Sequence, residues 1–303
     1  MVKKTKSCHY CSSDAVKYLK TPLKIFYRCP ECRLVFNSKP ETYDTVLKKY
    51  QKEYYSNFSM DQKNGYRENL FIHILKQIEE KIGIGKLLDV GTGCGNFLIA
   101  ARKRGWEVKG IEPSIQSAEI ACHQYGLDVF NGSLRNFSRH EKFNTITFNN
   151  VLEHSVEPWK EIERASKLLN PGGLIYIRFP NGNLHTKIYR FATTYGVADH
   201  IYKYLVFHQI PLTPAYIQRL LSDQNFFDIS FDNSPPSQGD PNDLFAHPLV
   251  SKAIKKSIYA IAIGFKIISL KKILVGTSLE VTALKRTAEY SEREKAQMPN
   301  SSI

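Results

Sequence analysis

Nothing in the 303 residues approaches the roughly 18 consecutive apolar residues of a membrane-spanning helix. The opening residues, MVKKTKSCHYC, lack the apolar stretch of a secretory signal. These absences exclude an integral span and predict a cytoplasmic protein. Acidic side chains are in short supply, with 29 Asp and Glu against 42 Lys and Arg and a formal net charge of +13. That excess opens nucleic acid or an anionic membrane surface as a partner. The lysines are spread along the chain with local clusters near both ends, so charge alone does not choose between them. Cysteines are few, six in all, and in a chain of this size they read as reduced rather than disulfide-bonded. What is present suits a globular fold: 42% hydrophobic and 12% aromatic residues, enough for one large domain and a small one with ample core.

Four cysteines form a pattern. Cys8-His9-Tyr10-Cys11 and Cys29-Pro30-Glu31-Cys32 are two C-x-x-C knuckles with seventeen residues between them. The intervening VKYLKTPLKIFYR reads as two short strands with a turn around Thr21-Pro22. Such a hairpin brings two thiolate pairs into one tetrahedral S4 site. Cys8, Cys11, Cys29 and Cys32 are therefore expected to hold a structural Zn2+ in a module spanning about 1–40. A thioredoxin-like redox pair would need a surrounding βαβ pattern, which is missing. Four protein ligands close the site, so it stabilises a fold and does no chemistry. His9 lies inside a knuckle and is not needed as a ligand. Lys3, Lys4, Lys6, Lys17, Lys20, Lys24 and Arg28 keep nucleic acid open as a ligand of this module. A scaffold or lid packed on the remaining chain is the plainer reading.

Residues 41–85 read as a polar, tyrosine-rich linker and a capping helix. Tyr54 and Tyr55 are candidates to stack over a ligand or to pack on a neighbouring helix. Leu70, Phe71, Ile74, Leu75, Ile78 and Ile82 recur at helical spacing, and Gly83 and Gly85 stop that helix.

The chain is organised around KLLDVGTGCGNFLIA, residues 86–100. An apolar run, three glycines (Gly91, Gly93, Gly95) and a helical pattern make a strand, a tight turn and a helix N-terminus. That arrangement sets backbone N–H groups and a positive dipole end against a ligand. A dinucleotide fingerprint wants Gly-x-Gly-x-x-Gly/Ala, but here the spacing is Gly91-x-Gly93-x-Gly95 with Asn96 sixth. Asp89 at the strand's end would repel a pyrophosphate and attract the amino group of a methionine moiety. The next apolar run ends in Glu112, about twenty residues past the first glycine, where a carboxylate can accept both hydrogen bonds of a ribose diol. Strands and helices then alternate as βαβαβ with short connections, the sign of a parallel doubly wound sheet with its strand C-termini on one side.

This pairing resembles motif I and the following acidic position of class I S-adenosylmethionine-dependent methyltransferases. FNTITFNNVLEHSVEP is similar to that family's FDxI…VLEHxxxP block, with Asn144 where an aspartate is usual. RASKLLNPGGLIYIRFPN is similar to its LLKPGG turn and fifth strand. The blocks run in the expected order over about 87–183. The resemblance implies a Rossmann-like α/β fold with a mostly parallel seven-stranded sheet over 86–285, following the small zinc ribbon. It implies that Asp89, Gly91, Thr92, Gly93, Gly95, Glu112, Pro113, Ser133, Leu134 and Asn149 surround S-adenosylmethionine. Family members often carry an acid near the adenine amine; Asn131-Gly132-Ser133-Leu134 offers Ser133 and backbone groups instead.

Methyl transfer from a sulfonium needs alignment and a dry pocket. A hydroxyl acceptor adds the need for a base, and a carbon acceptor the need to form an enolate. Glu153 and His154, after the fourth strand, are the polar or basic pair; their plain roles would be a helix cap and a loop hydrogen bond. Quinone O-methyltransferases of the superfamily have an E-x-x-E-H pattern here that binds a divalent metal. Asn150-x-x-Glu153-His154 lacks one of its carboxylates, so no catalytic Mg2+ is expected.

Residues 184–303 look like the family's substrate-side half, with insertions at about 184–212 and 235–272. His208 and Thr213 match an H-x-x-x-F/L-T block, making His208 a second base candidate or a histidine that orders the insertion. Ile258–Leu270 is mostly apolar, interrupted by Lys266 and flanked by lysines. It is too short to span a bilayer, and reads as a core or pocket helix or as a peripheral membrane contact through about 252–272. Residues 286–303 read as a disordered polar tail.

The expected function is S-adenosylmethionine-dependent methylation, on oxygen or carbon, of a small-molecule, sugar or polysaccharide-precursor acceptor. The alternatives are a quinone or lipid-precursor O-methyltransferase and a module that holds the cofactor without turnover. Nucleic acid is disfavoured as acceptor, because the crevice offers NNVLEH rather than the Asn-Pro-Pro-Tyr type motif of base-amino methyltransferases.

Overall fold

The protein is described here from a computed structural model, which places residues 5–51, 67–138, 141–202, 205, 207–236, 248–270 and 273–287. Four short strands open the chain: β1 (Thr5–Ser7), β2 (Asp14–Lys20), β3 (Ile25–Arg28) and β4 (Val35–Asn37). They pair in sequence order as an antiparallel sheet. The expected hairpin is β2–β3, turning where Thr21 Oγ1 accepts from the Lys24 amide at 3.0 Å. Residues 43–51 are helical. Helix α1 (Glu68–Ile82) buries Leu70, Ile74, Leu75 and Ile78 and ends at Gly83, whose φ of 73° suits a residue without a Cβ.

The second sheet has seven strands. In chain order they are β5 (Lys86–Val90), β6 (Glu107–Glu112), β7 (Val129–Asn131), β8 (Phe143–Asn149), β9 (Leu169–Pro180), β10 (Phe226–Asn233) and β11 (Ser278–Lys285). Their spatial order is β10-β11-β9-β8-β5-β6-β7. Strands β7, β6, β5, β8 and β9 are parallel, whereas β11 runs antiparallel to both β9 and β10. The order reverses at β5, which has β6 on one side and β8 on the other. In open parallel sheets this is the place where a crevice opens beyond the strand C-termini.

Helices α2 (Asn96–Lys103), α3 (Ile115–Tyr125), α4 (Pro158–Leu168), α5 (Gly182–Thr194), α6 (Ala198–Tyr202), α7 (Pro214–Asp223) and α8 (Pro248–Ile268) complete the fold. Local chemistry sets several starts. Ser114 caps α3, Asn181 caps α5, and Thr213 caps α7 with Pro214 next. Buried Glu280 accepts from Tyr176 Oη at 2.9 Å and from Gln77 Nε2 at 2.6 Å, tying α1 to the sheet.

The two sheets share core. Cys8, Ala15, Tyr27, Leu34 and Phe36 pack in one apolar cluster with Phe148, Phe179, Leu212 and Tyr216. Leu19, Phe26 and Val35 pack with Tyr189, Ala192 and Phe207. Tyr10 Oη donates to Asp223 at 2.7 Å, and the Tyr10 ring lies 5.8 Å from Trp159. Asn144 accepts from the Lys86 amide at 2.9 Å, a structural use of the position where the resembled family has aspartate.

Three expectations meet the described residues differently. Tyr54 and Tyr55 lie outside them, as do 288–303 of the expected tail. Arg286 is tied to the strand edge, its amide donating to the Asn225 carbonyl at 3.0 Å. No described helix is long and apolar enough to cross a membrane.

Candidate active site

The glycine turn sits at the switch point. The Gly91 and Thr92 amides both donate to the Ile111 carbonyl, at 2.8 and 3.1 Å, which pins the turn to the end of β6. Gly91, Gly93 and Gly95 have φ of 72°, 60° and 85°, in the left-handed region where a Cβ is strained. A Cβ on Gly95 would also fall 2.3 Å from Leu127 Cδ1. The turn is thus a conformational requirement before any ligand is considered.

Register places Asp89 opposite Gly110 and Val90 opposite Ile111, so the Asp89 and Glu112 carboxylates emerge on the same edge of the sheet. Both residues are 2% exposed. Glu112 Oε2 accepts from the Gly93 amide at 2.7 Å and Oε1 from the Ser114 amide at 2.8 Å, so the turn itself orients the carboxylate. Asp89 Oδ1 accepts from Thr147 Oγ1 at 2.5 Å and Asn149 Nδ2 at 3.2 Å. Burial pushes Asp89 up to about 6, restrained by those hydrogen bonds. Burial pushes Glu112 up to about 7; the two amides oppose the rise and the charge of Asp89 adds to it. Asn149 Oδ1 is buried and has no hydrogen-bond partner. Two carboxylates and an orphaned amide oxygen therefore make an acceptor-rich crevice, which an ammonium and a ribose diol would suit as donors.

Ser133 Oγ accepts from Tyr43 Oη, and the Arg135 guanidinium lies 4.9 Å over the Tyr43 ring. Leu134 is buried, and the Pro113 carbonyl accepts from Asn131 Nδ2 at 3.5 Å. At its other end the helical stretch 43–51 sets Tyr50 edge-on to His154, with ring centroids 5.7 Å apart. One short helix therefore touches both halves of the crevice. Tyr43 and Tyr50 were not legible as site residues, because a polar helix with isolated tyrosines carries no periodic signal.

The second half follows β8. Asn150 has φ of 59°, and its amide donates to the Arg178 carbonyl at 2.9 Å. Its side chain accepts from Arg178 Nη1 and donates to Glu153 Oε1 at 3.0 Å. A carboxylate at 150 could accept from Arg178 but could not donate to Glu153, a physical reason for asparagine here. Glu153 is 1% exposed, and its other oxygen, Oε2, has no partner. Burial pushes Glu153 up to about 7, against its own amide, Asn150 and the Arg178 charge. It caps no helix: the 3-10 turn Leu152–His154 carries it inward, and α4 begins after Glu157.

His154 and His208 meet with ring centroids 4.1 Å apart at 64°. Glu153, His154 and His208 offer ligand atoms within 4.8 Å of one another. Burial lowers His154 to about 4, helped by the Lys24 charge. His208 is lowered well below its ordinary value by burial, then by His154, Lys24 and His185. Both imidazoles are therefore neutral near pH 7. Lys24 and Arg178 project positive charge onto the cluster, which suits a proton-handling site better than a cation site. The fold thus brings His208, 54 positions along the chain (208 − 154), against His154 and Glu153, a pairing the sequence did not indicate.

The four knuckle cysteines also converge. Cys8 and Cys32 sulfurs are 3.5 Å apart and Cys11 and Cys29 sulfurs 3.4 Å apart, all four within 4.8 Å of one another and none in a disulfide. A tetrahedral S4 site with Zn–S of about 2.3 Å needs S···S separations of roughly 3.8 Å, so the set fits such an ion.

A seven-stranded sheet in this order, with acids at two adjacent strand tips around a glycine turn, defines a class I methyltransferase fold. The family described as "Methyltransferase domain" matches residues 64–229. The chain belongs to that family and carries an S-adenosylmethionine-dependent methyltransferase domain. Over 149 residues it is 32% identical to the ubiquinone biosynthesis O-methyltransferase of Saccharophagus degradans, covering 47% of this chain and 59% of that protein. Over 124 residues it is 29% identical to the enzyme of the same name from Stutzerimonas stutzeri, covering 38% and 53%. The chain spans little more than half the length of these curated relatives. Magnesium protoporphyrin IX methyltransferase from Synechocystis PCC 6803, solved with bound SAH, is similar over 80% of this chain and 100% of its own, with a TM-score of 0.54 and 11% identity. At that identity the likeness is one of fold.

Proposed function

We propose that the protein transfers a methyl group from S-adenosylmethionine to oxygen or carbon of a small-molecule, sugar or polysaccharide-precursor acceptor. The observation that carries this is the Glu153–His154–His208 cluster directly beyond the cofactor turn, with one carboxylate oxygen unpartnered and both rings held neutral. In this reading Asp89 and Asn149 take the cofactor's ammonium and Glu112 its ribose diol. Gly91, Thr92, Gly93, Gly95, Pro113, Ser133 and Leu134 shape the remaining wall. The cofactor, when bound, supplies the electrophilic methyl group. A neutral imidazole can accept an acceptor's proton only if the resulting imidazolium is stabilised; in this reading ionised Glu153, with a carboxylate oxygen within 4.8 Å of ring nitrogens of both histidines, is the group placed to do so. Cys8, Cys11, Cys29 and Cys32 hold a structural Zn2+ in a ribbon of about 1–40. A linker and capping helix (41–85) and the methyltransferase domain (86–285) follow.

A second reading, a quinone or lipid-precursor acceptor, draws support from the names of the curated relatives and from α8. That helix seats Ala262 against β10, its carbonyl accepting from Asn233 Nδ2 at 3.0 Å, while Ile261, Phe265, Ile267 and Ile268 stay exposed. An apolar face flanked by lysines suits a peripheral contact with an anionic membrane. Incubating the zinc-loaded full chain with methyl-labelled cofactor separates these readings. Label entering nucleotide sugars supports the first, and label entering polyhydroxylated quinone analogues the second. No label in either class, with the cofactor still bound, would leave a non-catalytic module.

A further inference from the structure

We propose that the N-terminal four-stranded sheet is a working wall of the acceptor site: Lys24 and Asn37 clamp Phe207–Gln209 so that His208 stands against His154. Lys24 lies at the β2–β3 turn, and its Nζ donates to the Phe207 carbonyl at 2.7 Å. Asn37, at the end of β4, donates from its amide to the Gln209 carbonyl at 3.1 Å and from Nδ2 to Gln209 Oε1 at 3.2 Å. The residue between these two anchors is His208. Phe26 packs its ring 6.0 Å from Phe207, sealing the same strip from the apolar side. The four-stranded sheet thus holds the backbone on both flanks of one imidazole, 4.1 Å from its partner ring.

The positioning is electrostatic as well as steric. Lys24 is half-buried, and burial lowers its own ammonium, with Lys49 adding to that and Glu41 opposing it. Its charge reaches His154 and His208, and His185 faces His208 from α5. A cation beside two imidazoles keeps them uncharged, the state in which a ring nitrogen can receive a proton. Lys24 is a positioning residue here, acting through His208. Its use in methyl transfer rests on the function proposed above, whereas the clamp itself does not.

The test uses the 15N-labelled, zinc-loaded full chain. Imidazole 1H–15N spectra across pH give the titration of His208, and exchange of the Asn37 amide reports on the clamp. Lys24→Met should raise the His208 midpoint by roughly half a pH unit and speed exchange of the Asn37 amide, which donates to the Gln209 carbonyl. Lys24→Arg should restore the midpoint. Asn37→Ala, which keeps the Lys24 charge and, of the bonds to Gln209, removes only the one to Oε1, should speed exchange of the amide at 37 and shift the His208 resonance; it provides the reading if Lys24→Met does not fold. Faster exchange without a moved midpoint in Lys24→Met, a moved midpoint without faster exchange, or neither, would overturn the proposal. Cofactor calorimetry on the same samples keeps the questions apart: lost binding would count against the crevice and not against the clamp.

Discussion

Replacing Glu112 by alanine tests the crevice most directly. The carboxylate is 2% exposed and already accepts two backbone N–H groups, at 2.7 and 2.8 Å, leaving lone pairs directed past β6. A hydrogen bond to a charged acceptor contributes about 1.5–3 kcal/mol. Removing the ribose contact should therefore weaken S-adenosylmethionine roughly 10- to 150-fold. The same change strands the Gly93 and Ser114 amides, at a cost of about 1–3 kcal/mol for each buried donor left unmade. The variant should thus melt lower as well as bind worse. Glu112→Gln keeps one acceptor oxygen but turns an amide donor toward a backbone donor, so its melting point should fall between the two. Titration calorimetry at fixed pH, with circular dichroism to confirm folding, reads both effects. A folded Glu112→Ala protein binding within about twofold of the wild type would place the ribose elsewhere and refute the reasoning.

Other outcomes follow from the same groups. Asp89 and Glu112 are raised to about 6 and about 7. The folded state thus binds their protons more tightly than the unfolded chain, and their contribution to stability, full below about pH 4, is lost as pH rises towards 7. Cofactor affinity should move the opposite way, rising from pH 5.5 to 8 as the carboxylates ionise. Binding at pH 6 should release protons, visible as buffer-dependent calorimetric heats, and a flat pH profile would reject this. Chelating zinc, or Cys32→Ser, should lower the melting temperature of the whole chain in one transition, because the knuckle core packs with Phe148 and Tyr216. Zinc content near zero in freshly purified protein would refute the metal. Vesicles of anionic lipid should retain the protein at low salt and lose it in Phe265→Ser/Ile268→Ser; flotation without retention would remove the membrane contact.

Which parts were legible depends on how local the cause is. The knuckles, the glycine turn and the alternation of strands and helices declare themselves within short windows, since each depends on a backbone angle or a fixed ligand spacing. Helix α1 appeared at its apolar period, and the β2–β3 turn fell where Thr21-Pro22 placed it. Tyr43, Tyr50, Thr147 and Arg178 did not appear. Their partners Ser133, His154, Asp89 and Asn150 lie 90, 104, 58 and 28 positions away (133 − 43, 154 − 50, 147 − 89, 178 − 150). No local pattern records such pairings. Gly110 was also missed, although a Cβ there would fall 2.7 Å from Thr92 Cγ2 and push the turn away from the strand.

By itself the sequence determined the elements: two cysteine knuckles, a left-handed glycine turn, and acids at the ends of two strands whose short connection makes them neighbours. Periodicity, φ preference and right-handed crossovers act over a few residues and need no partner. Only the tertiary structure decided that Lys24 and Asn37 of the first sheet grip the strip around His208, and that burial brings Glu112 and Glu153 close to neutrality in their proton affinity. Desolvation and long-range contact depend on what the rest of the chain excludes from a site, and that is fixed when the two sheets close on a shared core.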